Sequence, residues 1–208
     1  MAGCCSAGVG ATGEPRFRRI LWVALIANAT MFAVEVVAGM ISSSVSLQAD
    51  ALDFFGDAAS YAITLTVLGL SLRARSIAAL VKGATMALFG LWVIGIAVYR
   101  TFNETVPDAP IMGGIAVLAL AVNVAVAVML YRYRGGDSNT RSIWLCSRND
   151  AIGNIAVLLA AGGVYLSVTG CPDIAVAAVI ASLNLSSAWQ VFRHAGDELR
   201  YEQASEAA

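Results

Sequence analysis

Asp53 and Asp57 stand four residues apart in the stretch SLQADALDFFGDAASY, and Cys146 and Asp150 stand four apart in CSRNDAIGNIAVLLAA. On a helix, residues at i and i+4 share a face, so each pair offers two ligand groups stacked about one turn apart. Together they supply three oxygen ligands and one sulfur, a set suited to a tetrahedral divalent cation such as Zn²⁺. The thiolate is a soft donor, which leans the preference toward Zn²⁺ or a softer ion such as Cd²⁺ and away from Mg²⁺. Such a cation would offset the cost of gathering three carboxylates in an apolar region. Without it the carboxylates cannot all stay ionised cheaply, so an empty site is expected to hold protons that an arriving metal expels. Arg148 lies two residues from both Cys146 and Asp150, which turns it to roughly the opposite side of the helix and away from the pair.

The chain that positions these groups is strongly apolar. Of 208 residues, 59% are hydrophobic and only 13% charged, against about a quarter charged in soluble domains. Mean hydropathy is +0.75. Six apolar segments follow one another, approximately 20–40, 49–72, 77–99, 111–131, 142–166 and 172–192. Each is close to spanning length, and lipid admits only helices or closed barrels. Barrel alternation is absent, so the expected fold is an all-α integral membrane protein with six transmembrane helices. Arg16, Arg18 and Arg19 precede the first segment as in a secretory leader. The apolar run behind them is nevertheless long enough to span, and is read as the first transmembrane helix. With the N-terminus inside, eleven basic residues, Lys82 among them, count toward the inner side and only Arg100 toward the outer. Both termini are therefore expected in the cytoplasm. The expected division is a disordered N-terminus over 1–15, the membrane bundle over 16–193 and a short cytoplasmic tail over 194–208. The net charge of −1 gives no reason to expect a nucleic-acid partner.

Ionisable residues inside a span mark functional sites by default. Beyond the two pairs these are Glu35 in the first segment and Asp50 in the second. Asp50 is expected to cap or lie near the outer end of its helix, or to form a secondary entry site. Glu35 either assists proton movement or bonds to another helix, with Asn28 on its face. Asn149 is an alternative to Cys146 as a ligand, because buried cysteine commonly serves as a small apolar residue. Asn154 extends the face of Asp150. Cys4 and Cys5 are candidates for capturing a soft metal at the cytoplasmic mouth. Cys171 and His194 are read as structural or incidental. The competing account of the aspartates is polar contact between helices.

These residues resemble the cation diffusion facilitators over nearly all six segments. SLQADALDFFGDA is similar to that family's second-helix motif, Ser-Leu-x-Ala-Asp-Ala before a His/Asp-x-x-x-Asp pair, here Asp53 and Asp57. CSRNDAIGNIAVLLAA is similar to its fifth-helix motif, with the pair here Cys146 and Asp150. NATMFAVEVVAGMISSSVSL, holding Asn28 and Glu35, resembles the first helix. The resemblance implies a homodimeric six-helix exporter of divalent transition metals, driven by proton counterflow, with its transport site between helices two and five. It implies no enzymatic cofactor, the metal being the transported substrate, and a multi-pass place in the plasma membrane, the inner membrane of a bacterium. Cysteine at 146 departs from the family's histidine or aspartate. The family's C-terminal cytoplasmic domain is expected to be lacking, which leaves dimer contacts to membrane helices. A metal-dependent membrane enzyme of the CDP-alcohol phosphotransferase type also uses an Asp-x-x-x-Asp helix, but its upstream Asp-Gly and Ala-Arg are missing. A non-transporting metal sensor or scaffold would not explain ligand pairs on two helices, and an exporter of organic cations has no use for the thiolate.

Overall fold

The computed structural model describes residues 15–66, 72–103, 105–133 and 138–206. Six helices follow in order: α1 Pro15–Ile41, α2 Val45–Thr66, α3 Leu72–Asn103, α4 Ala109–Tyr131, α5 Ser138–Ser167 and α6 Cys171–Glu206. Among the described residues there is no strand. Five of the helices are long and apolar enough to cross a membrane. Their outward faces carry large apolar side chains such as Trp22, Leu88, Trp92, Val128, Leu159 and Trp189. An apolar girdle of that kind fits lipid as its solvent.

The helix missing from those five is α2. At 22 residues it is about 33 Å long, enough to span, but three aspartates remove it from the apolar class. It lies instead at the centre of the bundle, packed on α1, α3, α5 and α6. Most of its residues are buried, from Val45 to Leu65. Protein rather than lipid surrounds it, which is the condition under which a span can carry ionised or proton-sharing groups.

The helices alternate in direction, so two ends can be defined. The end of Pro15 also holds the C-terminus of α2, the N-termini of α3 and α5 and the C-terminus of α4. Here Phe17 meets Tyr133 at 4.9 Å between ring centroids, and Tyr131 meets Trp144 at 6.0 Å. At the opposite end α1 gives way to α2 through Ser43, which takes a left-handed φ of 59°. The Ser44 hydroxyl caps α2 by accepting from the Leu47 N–H at 3.1 Å, the bond expected of an N-cap serine. Gly39 permits the close return, since a Cβ there would lie 2.8 Å from Cγ of Gln48.

Several expectations shift. Because α2 begins at Val45 rather than near Ala49, Asp50 stands more than a turn inside the helix and does not cap it. The serine-rich turn is polar enough to hide that first turn from a hydropathy reading. Lys82, counted toward the inner side for its charge, sits within α3 at 7% exposure and lines a cavity. After Phe192 the chain continues as the same α6 helix to Glu206.

Candidate metal centre

The four paired residues meet on one cavity. Asp53 and Asp57 from α2 line it together with Cys146 and Asp150 from α5, and α3 and α6 close its remaining sides. Its volume is about 290 Å³. The i, i+4 spacing turns both members of each pair inward, and Gly56 and Gly153 together leave the helix faces low enough to admit a ligand. Asp57 is 6% exposed and Cys146 5%, while Asp53 and Asp150 are half-buried. The carboxyls of Asp57 and Asp150 lie within hydrogen-bonding reach of one another across the α2–α5 gap.

Neighbours hold these groups in place. Tyr61 donates its hydroxyl to Oδ2 of Asp57 at 2.8 Å. Ser147 Oγ lies 2.9 Å from the same phenol oxygen. Since that phenol proton is given to Asp57, Ser147 is the donor in the second bond, and the three form a chain from α5 to α2. Asn184 on α6 donates to the Ala49 carbonyl at 3.4 Å and reaches the Asp53 side chain. Lys82 Nζ donates to Ser60 Oγ at 2.5 Å, and its charge acts on Asp57.

Not every candidate reaches the cavity. Asn149 lines it, and its side-chain oxygen accepts from Arg148 at 3.1 Å. Arg148 itself is exposed and lies over the Trp144 ring at 5.4 Å, on the side of α5 away from the cavity. Asn28 and Asn154 are buried outside the lining and donate to the carbonyls four residues before them, at 2.8 and 2.9 Å. Glu35 and Asp50 are fully buried and also outside it. Cys4 and Cys5 lie outside the described residues. Cys171 is free and exposed. Ser60, Tyr61 and Ser147 are the neighbours that the sequence did not single out, and Lys82 was counted there only for its charge. A lysine one turn from Met86 on α3, both facing the cavity, was the available signal.

Chemically, the cavity offers two ligand pairs for a cation entering between α2 and α5. Among the described residues no three His, Cys, Asp or Glu side chains are already drawn together as a metal cluster. The Cys146 sulfur is disulfide-bonded, so it can act as a thiolate ligand only once reduced.

An alternating six-helix bundle with a lipid-facing girdle and an acid-lined internal cavity defines a multi-pass membrane protein. The chain belongs to the cation efflux family: the model of the cation efflux transmembrane domain matches residues 21–200. It is similar to the cadmium, cobalt and zinc/H⁺-K⁺ antiporter of Bacillus subtilis, 25% identical over 190 residues, covering 84% of this chain and 60% of that one. It is also similar to the zinc transporter ZitB of Escherichia coli, 25% identical, with 88% and 62% covered. The metal cation efflux system protein CzcD of Cupriavidus metallidurans is 26% identical, with 82% and 58% covered. The chain thus spans about 60% of the length of the curated relatives it matches.

Proposed function

We propose that this chain exports divalent transition-metal cations, Zn²⁺ or Cd²⁺ foremost, across a plasma membrane in exchange for protons. Asp53, Asp57, Asp150 and the reduced Cys146 are the ligands of the transported ion. The observation that carries this reading is the meeting of both ligand pairs, nearly a hundred residues apart in sequence, on one internal cavity. Three carboxylates and a thiolate give a site of high negative charge when empty of protons, and a divalent ion compensates it. The names of the relatives point to the same cargo, and that of the Bacillus protein to the same counter-ion. Nothing in this arrangement supplies the diphosphate-binding basic pocket that a phosphotransferase would need, since Lys82 is the only basic side chain lining the cavity among the described residues.

The test uses the full chain in vesicles, kept under reducing conditions, with Zn²⁺ and Cd²⁺ as probes. Metal should accumulate in vesicles whose lumen is more acidic than the outside, and Asp57→Ala and Asp150→Ala should abolish accumulation. Cys146→His should keep Zn²⁺ transport while losing at least several-fold of the Cd²⁺ flux. Metal movement indifferent to the pH gradient would reject antiport, and full activity in both alanine variants would reject the site.

A further inference from the structure

Away from the cavity, Glu35 of α1 and Asp50 of α2 bury two carboxyl groups against each other. Both residues are 0% exposed, and all four of their carboxyl oxygens lack a hydrogen-bond donor. Yet the two side chains lie within hydrogen-bonding reach of one another. The two observations agree only in one way. Two carboxylates are acceptors alone, so their approach becomes a bond when one of them carries a proton. Leaving both ionised would place two uncompensated charges in an apolar interior, a cost offset by no cation acting on either group among the described residues.

The surroundings reinforce the point. The charged groups acting on the pair are themselves carboxylates, Asp53 on α2 and Asp150 on α5. From α5, Gly153 presents only backbone, with its Cβ position 3.9 Å from Oδ1 of Asp50. From α6, the neutral Asn184 is spent on the Ala49 carbonyl and Asp53, and the Asp173 carboxylate is spent on the Ser44, Val45 and Ser46 donors at the start of α2. Lys82 acts on Asp57, farther along α2. Along α2, Asp50 precedes Asp53 by about 4.5 Å toward the end where α1 meets α2. The pair therefore stands between the metal cavity and that end of the bundle.

We propose that Glu35 and Asp50 form a shared-proton site, separate from the metal ligands, that carries a counter-transported proton between the outer end and the cavity. The proton bound to one carboxyl forms a short O–H···O⁻ bond to the other. Water at the outer end supplies it, and it leaves for water at the inner end as the metal departs outward, so protons are conserved without any other reactant and this one proton offsets one of the two charges the metal carries. The transport part of this proposal rests on the exporter reading; the shared proton does not.

Two arms keep those apart. In infrared difference spectra of the purified full chain, the carbonyl stretch of a protonated acid should be present near neutral pH and weaken in both Glu35→Gln and Asp50→Asn. An acid band unchanged in both variants overturns the shared proton. In vesicles, the same variants should bind Zn²⁺ within twofold of wild type yet lose at least tenfold of the flux driven by a pH gradient, while flux down a Zn²⁺ gradient alone persists. Equal loss with and without the pH gradient marks a merely structural role and overturns the transport part, as does an undiminished pH-driven flux. If wild-type vesicles move no metal, the exporter reading fails while the infrared arm still decides the proton. Should the variants not fold, a hydrophobic carbodiimide on the wild type should modify Glu35 or Asp50, and their absence from the labelled peptides overturns the site.

Discussion

Lys82 shows how one side chain can set the terms of binding at a site it does not ligate. Its ammonium enters a cavity lined by three carboxylates, is held by Ser60 and acts on Asp57. In the absence of metal it supplies part of the positive charge that the carboxylates require. On the proposed function, an arriving divalent cation would have to displace that charge or share the cavity with it, and the repulsion between them would weaken binding. Lys82→Met keeps the aliphatic stem and removes the charge. Its Zn²⁺ affinity by calorimetry should rise on the order of tenfold, equivalent to about 1.4 kcal/mol. Unchanged or weaker binding would show that Lys82 helps assemble the site. The same residue marks where sequence reasoning stops. Asp53, Asp57, Cys146 and Asp150 were legible because helical spacing fixes which residues share a face, and the lipid setting makes ionisable groups conspicuous. Lys82 and Ser147 join the site through contacts between helices, which no periodicity along one chain encodes, whereas Tyr61 stands four residues after Asp57 on the same face of α2 and lay within reach of the spacing argument. Asp50 and Glu35 were visible as charged letters, but their mutual contact depends on how α1 packs on α2.

At the scale of the elements, the number of helices and the order of spans follow from the apolar runs, whereas helix ends follow from polar bonds the runs do not contain. The start of α2 is the clearest instance. Asp173, 1% exposed in the first turn of α6, accepts from the Val45 N–H at 2.7 Å and the Ser46 N–H at 3.0 Å. It also accepts from the hydroxyls of Ser44 at 2.7 Å and Ser46 at 2.6 Å. A carboxylate at a helix N-terminus is favoured by the exposed N–H groups and the helix dipole, and charged acceptors make the stronger bonds. The same turn is tied to the α3–α4 connection, where the Asp108 N–H donates to the Ser42 carbonyl at 2.8 Å. The Ser-rich stretch that reads as a loop is therefore the opening of the central helix, bolted to α6 by a residue more than a hundred positions away. Asp173→Ala should destabilise the bundle by about 2–3 kcal/mol, seen as a lower Tm of the detergent-solubilised chain, with Asp173→Asn intermediate because it retains one carbonyl oxygen. An alanine variant as stable as wild type would remove the clamp as a structural element.

For the whole molecule, open and packed interior are unevenly distributed along the membrane normal. The cavity residues Ser60, Lys82, Cys146 and Val191 lie toward the end that holds Pro15 and the α3 and α5 N-termini. Toward the opposite end the interior is filled by a packed cluster including Leu47, Leu52, Val93, Met112, Ala116, Val157, Ala161, Ala177 and Ala181. Small residues on α4, α5 and α6 let these helices approach closely there, and a close-packed interior leaves no room for water. The bundle thus has one half opened by the cavity and one half closed by packing around the Glu35–Asp50 pair and the Asp173 bonds, and on the proposed function passage of an ion requires the packed half to open while the other closes. Position 187 on α6 faces the cavity, whereas Ala181, six residues earlier, is buried in the cluster at 0% exposure. About 9 Å along the helix separates them. With the native cysteines replaced by serine, a cysteine at Ser187 should react with a membrane-impermeant thiol reagent added on the side of the chain termini. A cysteine at Ala181 should resist reagent from either side until metal and a pH gradient set the bundle cycling, when modification from the opposite side should appear. Labelling of position 181 at rest, or of position 187 only from the opposite side, would reverse the assigned direction of opening.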